Sequence, residues 1–156
     1  MKHVPTKNEI SPSNGIDLDE RVALSHFYGM HCNQAVKLFE ENFTYYINDL
    51  LWMGETAFFY YLKSIEIYIS KNISEDNPIF LYELSRSLLD LFEHRLNNSK
   101  KIEKNVSFVN IRNAFIAKIN MLLIDNDTLL NIPEFPKISK KLSKHLHSWV
   151  NLTSNK

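Results

Sequence analysis

Glu41, Tyr45 and Asp49 stand four residues apart, and on a helix that spacing puts two carboxylates and a phenol on one stripe. With Glu40 beside them, the stripe holds groups suited to general acid–base work or to a divalent metal. Di-metal helical bundles add a Glu-x-x-His pair to their carboxylates. No such pair exists here, because His94 follows Glu93 directly. The stripe therefore reads first as a solvated or partner-facing acidic surface with a hydrogen-bonded tyrosine.

His26, His31 and Cys32 form a second group with metal-ligating chemistry. A structural zinc site needs four ligands, usually in two clustered pairs. The remaining histidines, His3, His94, His145 and His147, come without a second cysteine. His31 sits where a helix N-cap belongs, and His26 is expected to pack near a corner at Gly29. Cys32, near a helix N-terminus, is placed where a thiolate is favoured. Catalysis would also require a base and an orienting group, which the sequence does not bring to it. No catalytic, cofactor-binding or metal-binding residue is assigned, and an enzyme is not the expected class.

Two further groups point to partners. Lys137, Lys140, Lys141 and Lys144, with His145, His147 and Trp149, make a basic amphipathic pattern near the C-terminus. Such a helix contacts nucleic acid or anionic lipid, or lays its apolar face on its own core with the lysines in water. Tyr45, Tyr46, Trp52, Phe58, Phe59, Tyr60, Tyr61 and Tyr68 exceed what one buried face absorbs. With Phe58 and Leu62 inward, Phe59 and Tyr60 fall on the outer side. Exposed aromatics beside acids suit a protein-binding surface, unless the first and last helices cover them.

The elements that carry these residues are helical throughout. Residues 1–16, with Pro5, Pro12 and Gly15, read as a flexible arm, and residues 17–152 as one bundle domain. A first helix starts at Asp17 or Asp19, carries Leu18, Val22, Leu24 and Phe27 to the core, and stops at Gly29. A second spans Cys32 to Trp52 with Ala35, Leu38, Phe39, Tyr46 and Leu50 inward. Gly54 reads as another left-handed stop, which makes Trp52-Met53-Gly54 a tight corner.

The third helix runs from Glu55 to Lys71, with Ala57, Phe58, Tyr61, Leu62, Ile65 and Ile69 inward. After a break at Ser74 to Asp76, Asn77 and Pro78 open a fourth helix bearing Leu81, Leu84, Leu88, Leu91 and Phe92. A polar loop then leads to a fifth helix from Val106 to Ile124. The last helix spans Lys137 to Val150, with Ile138, Leu142, Leu146 and Trp149 on one face. No segment alternates with period two, so the expected fold is an all-α single-domain bundle of about five to six helices.

Composition narrows the function classes. At 156 residues the chain holds one domain with a substantial core. An apolar fraction of 44% and a charged fraction of 23% are those of a globular rather than a disordered chain. Three glycines are too few for the Gly-rich loops of α/β nucleotide-binding folds. No apolar run reaches the roughly 20 residues that span a bilayer, and residues 1–14 lack a signal-peptide core. A lone Cys32 fits a reducing compartment. Asn42, Asn72 and Asn105 head glycosylation-like triplets, but without a secretion signal they reflect an Asn-, Lys- and Ile-rich composition. That composition points to a cytoplasmic protein encoded by AT-rich bacterial or mobile DNA.

The zero net charge hides an uneven distribution. Residues 1–93 carry 14 acidic and 7 basic side chains, and residues 94–156 carry 4 and 11. Such asymmetry steers partners, or else reflects complementarity between helices within the chain.

From His26 to Leu62 the chain reads H-F-x-G-(x)5-A-x-x-L-F-x-E-N-x-x-Y-Y-x-x-D-L-x-W-M-G-x-x-A-F-x-Y-Y-L. This resembles a pattern in small bacterial all-helical proteins of uncharacterised function, over about a quarter of the chain. Its most distinctive parts are the Trp-Met-Gly corner and the Glu-Asn-x-x-Tyr-Tyr run. The capping Ser or Thr usual after the first Gly stands here as His31. The resemblance implies no activity, cofactor or catalytic residue.

The leading expectation is a protein-binding protein, most specifically an immunity protein that neutralises a cognate, basic bacterial toxin domain. Glu40, Glu41, Tyr45, Asp49, Glu55 and Tyr60 are its expected contact residues. The alternatives are a nucleic-acid-associated accessory protein acting through the C-terminal lysines, or a metal or small-molecule protein built on the Glu41–Asp49 stripe. No cofactor and no membrane association are expected.

Overall fold

The computed structural model describes residues 3–72, 77–96, 101, 104–114, 140 and 144. The expected fifth helix past residue 114, the break at Ser74 to Asp76 and most of the last helix lie outside them. Lys140 and Lys144 are helical and exposed. The fold is all-α, and the described residues contain no strand. The helices are α1 (Lys7–Ile10), α2 (Leu18–Phe27), α3 (Cys32–Trp52), α4 (Glu55–Asn72) and α5 (Pro78–Leu96). Residues 106–114 form a sixth, α6. Among the described residues no helix is long and apolar enough to cross a membrane.

Capping side chains set the helix starts. Asp17 Oδ1 accepts from the amides of Asp19 at 2.9 Å and Glu20 at 3.0 Å, which opens α2. Asn77 Oδ1 accepts from Ile79 and Phe80, both at 3.1 Å, one residue before Pro78. Asn105 does the same for Phe108 at 3.2 Å. Gly29, at φ +76°, ends the α2 corner in the left-handed conformation its position predicts.

α3 packs on α4 and α5 and carries α2 on another side. Asn42 interrupts it with extended backbone (φ −159°, ψ 90°). Its side chain accepts from the Tyr45 amide at 3.1 Å, so Asn42 caps the second half of the helix from within. The apolar stripe keeps its spacing of three and four residues across the break. Ala35, Val36, Phe39, Phe43, Ile47 and Leu50 are buried, whereas Leu38 and Tyr46, expected inward, are half-buried. On α4 all six expected inward residues are buried, and on α5 so are Leu81, Leu84, Leu88, Leu91 and Phe92. Phe108 of α6 meets Phe92 edge-on at 4.8 Å and extends the same core.

Two corners are closed by side chains from later helices. Tyr61 of α4 points its hydroxyl at the carbonyls of Phe27, at 2.7 Å, and Met30, at 3.0 Å, where α2 turns into α3. Arg95 of α5 donates from Nε to the Leu50 carbonyl at 3.0 Å and from Nη2 to the carbonyls of Leu50 and Met53. Its guanidinium lies 4.5 Å over the Phe58 ring. Burial pushes Arg95 down to about 10, with Glu55 acting in the opposite direction, so it stays charged at neutral pH. The carbonyls that end a helix have no partner within it, and a cation there also meets the negative end of the helix dipole.

The N-terminal stretch read as an arm is docked on the bundle in the described structure. Ile10 is fully buried, and its carbonyl accepts from the Gly54 amide at 3.3 Å. Glu20 Oε2 accepts from Ser11 Oγ at 2.9 Å and from the Ser13 amide at 2.8 Å. Burial pushes Glu20 up, but these hydrogen bonds outweigh it and the carboxyl ends below its ordinary value. The docking also corrects the role read for Gly54, whose φ is not positive. A Cβ there would lie 2.5 Å from the Glu9 carbonyl oxygen and 2.9 Å from Pro12 Cγ. Gly54 is glycine because α1 passes against it.

Gly54→Ala should accordingly destabilise the protein by about 1–3 kcal/mol, as overpacking does. It should also speed tryptic cleavage after Lys7. Denaturant midpoints and a digestion time course check both effects, and an unchanged digestion rate would mean that α1 does not rest on Gly54.

Candidate functional site

The expected contact residues divide among three environments. Tyr45 is 53% exposed on α3. Its ring stands 5.7 Å from His26 and 5.0 Å from Tyr46. Glu41, one turn earlier, is exposed and has no ion pair among the described residues. Asp49, one turn later, is buried and hydrogen-bonded to His26 Nδ1 at 2.7 Å. It does not belong to an open surface, which corrects its place in the expected contact set. It lies at the α2–α3 contact, where among the described residues the imidazole is its hydrogen-bond partner.

The other three lie elsewhere. Glu40 is exposed and pairs with Lys71 of α4 at 3.3 Å, and Glu55 pairs with Lys101 at 3.2 Å. Exposed pairs of this kind contribute roughly 0–1 kcal/mol. Tyr60 is half-buried on α4, with its carbonyl 3.5 Å from the Cys32 thiol. His31 caps α3, its amide donating to Gln34 Oε1 at 2.8 Å. His26 therefore belongs with Asp49 and the two tyrosines, and His31 and Cys32 with the start of α3. Among the described residues no three His, Cys, Asp or Glu side chains stand close enough together to hold a metal.

The exposed face of α2 differs from the expected one. Leu18 and Val22, expected in the core, are 66% and 41% exposed. Phe27 is buried as expected and Leu24 is half-buried, while Ala23 takes the buried place expected of Leu18 and Val22. A stripe through Ala23 and Phe27 has the same four-residue spacing as one through Leu18 and Val22, and it ends on the aromatic ring that packs against Tyr61 at 4.9 Å. The small Ala23 lets α2 approach α3 closely, and the acids Asp17 and Asp19 then stand at the exposed start of the helix. The outer faces of α2 and α3 meet at the His26–Tyr45 contact. Together they expose Leu18, Val22, Tyr45 and, at the end of α3, Trp52 at 41%.

The His26–Asp49 hydrogen bond is a part-buried polar link of this region. Burial raises the Asp49 carboxyl above its ordinary value, and the Asp19 charge adds to the rise. The His26 hydrogen bond and charge offset part of it. Among the described residues, the pair links α2 to α3 and no third group approaches it as a nucleophile or a metal ligand would.

No protein-family model matches the chain, and neither a curated protein nor a solved structure does.

The raised carboxyl has a signed consequence. The folded state holds the Asp49 proton to higher pH than the unfolded chain does. Its contribution is thus full below the unfolded value and lost as pH rises through the folded one. Asp49→Asn removes that titration and keeps a side chain able to hydrogen-bond His26. Paired thermal melts between about pH 4 and pH 7 should show the variant gaining on the wild type as pH rises. A variant that loses on the wild type as pH rises would mean that the His26 interaction, not burial, sets the Asp49 proton, and a difference independent of pH would mean that the two effects cancel.

Proposed function

We propose that this protein works by binding another protein through the outer faces of α2 and α3. In its most specific form the reading is an immunity protein of the bacterial cytoplasm that blocks a basic toxin domain. The observation that carries it is the exposure of Leu18, Val22, Tyr45 and Trp52 on two helices joined at the His26–Tyr45 contact. Single exposed apolar side chains are ordinary; several large ones on adjoining faces mark interaction surfaces.

Charge supports the same surface. Asp17, Asp19 and Glu41 are exposed along these two helices, within a part of the chain where acids outnumber bases by two to one. An apolar centre with an acidic surround suits a partner that is basic around an apolar patch. The charges then speed encounter, and the aromatics hold the complex. Nothing in this arrangement calls on the C-terminal lysines. Recovery of nucleic acid in place of protein would transfer the function to them.

The test is a nuclease-treated pull-down from the native host followed by measured affinity for the recovered protein. Tyr45→Ala and Trp52→Ala should each weaken binding by about tenfold to a hundredfold, the range of interface anchors. Glu41→Gln should slow association and flatten its salt dependence. Unchanged affinity in both aromatic variants would overturn this reading of the surface.

A further inference from the structure

A cleft of about 710 Å³ opens on a different part of the molecule, between the N-terminal stretch, the start of α3, the middle of α4 and the start of α6. We propose that it binds a small aromatic anion: a flat apolar body ending in one carboxylate or phosphate. The cleft shares no residue with Leu18, Val22, Tyr45 or Trp52, so the proposal stands apart from the protein-binding surface.

The size admits such a ligand, since small-molecule sites commonly enclose about 300–1,000 Å³. The walls define the two halves of the molecule it would take. Phe59 and Tyr60 of α4, opposite Val4 and Val106, supply apolar surface for a ring. The polar lining mixes the neutral Asn33, Asn105 and Ser107 with His3, His31 and the ammonium of Lys63, and among the described residues no carboxylate lines the cleft.

Backbone geometry reinforces the sign of the site. Two helices begin at the cleft, α3 after His31 and α6 after Asn105. Their first-turn residues Cys32 and Asn33, Val106 and Ser107, belong to its lining. First-turn amides have no acceptor within their own helix, and both helix dipoles turn their positive ends to this space. Asn105 satisfies the amide of Phe108, one turn in. The Cys32 amide reaches the Tyr60 phenol oxygen, and the amides of Asn33, Val106 and Ser107 have no backbone acceptor among the described residues. A bound anion supplies one to either helix.

Two carboxylates temper the charge from behind the wall. Lys63 pairs with Glu66 at 2.9 Å and His3 with Glu9 at 3.0 Å. An ammonium has three donors, so Lys63 can hold Glu66 and still reach into the cleft. The neutralisation favours an anion of low charge attached to an apolar body over a bare, highly charged ion, because the ring must contribute to binding.

The experiment is an amide-resolved NMR titration of the full chain with phenyl phosphate, benzoate, inorganic phosphate and benzyl alcohol. Phenyl phosphate or benzoate should shift the amides of Cys32, Asn33, Val106 and Ser107, and bind at least about tenfold more tightly than benzyl alcohol or inorganic phosphate. Lys63→Gln, at a half-exposed position that folding does not depend on, should weaken the aromatic anions about fivefold to tenfold and leave the melting curve unchanged. Tyr45→Ala should bind them as the wild type does. Shifts that map away from these four amides, benzyl alcohol binding as tightly as phenyl phosphate, or inorganic phosphate matching both would each overturn the proposal.

Discussion

The carbonyls that end a buried helix must find donors, and this bundle finds them in side chains two elements further along. Arg95 of α5 takes the carbonyls of Leu50 and Met53 where α3 ends, and Tyr61 of α4 approaches those of Phe27 and Met30 where α2 ends. Each closure fixes a corner of only a few residues and, through it, the angle between two long helices. Arg95 does more, because the corner it closes is also the one against which α1 rests through Gly54. One guanidinium thus holds the end of α3, the first turn of α4 through Phe58, and α5 together. The docked N-terminal stretch depends on the same corner.

That arrangement explains how the surfaces arise. With α3 and α4 locked at Met53-Gly54, the inner stripe of α3 is committed to the core, and α2 is left to cover one flank through Ala23 and Phe27. The remaining side of α2 and the adjoining side of α3 stay open with their apolar and acidic residues. On the far side of α4, the start of α3 and the start of α6 face each other across the Cys32 cleft. A helical bundle of this size supports two such surfaces without either disturbing the core they share.

Much of the scaffold was legible because it rests on local rules. Asp17, Asn77 and Pro78 announce helix starts by chemistry confined to a single turn, and the α4 stripe repeats with an unbroken period. The misreadings share a long-range cause. Leu38 and Tyr46 lie at the edge of the same helical stripe, and the packing of α4 and α5 on α3 decides that Phe43 and Ile47 are the fully buried residues. Gly54 stands out in the sequence as a helix stop, but what requires glycine there is the close approach of Glu9, 45 residues earlier. Asp49 and His26 are 23 residues apart, and Leu18 and Val22 look like core residues until the packing of Ala23 decides which side of α2 faces in. The site followed the same pattern: the Glu41–Tyr45 stripe was readable, while the inward turn of Asp49 and the cleft at Cys32 required the tertiary arrangement.

The dependence on Arg95 is open to one direct measurement, equilibrium unfolding of Arg95→Met beside Arg95→Lys, with amide exchange followed at Gly54 and Phe58. Methionine fills similar space but leaves the Leu50 and Met53 carbonyls without the donor, and lysine restores charge without the planar fork. The corner account predicts a loss of at least about 2 kcal/mol for methionine, a partial loss for lysine, and faster exchange at Gly54 and Phe58 in both. A methionine variant as stable as the wild type, with the corner amides equally protected, would contradict it.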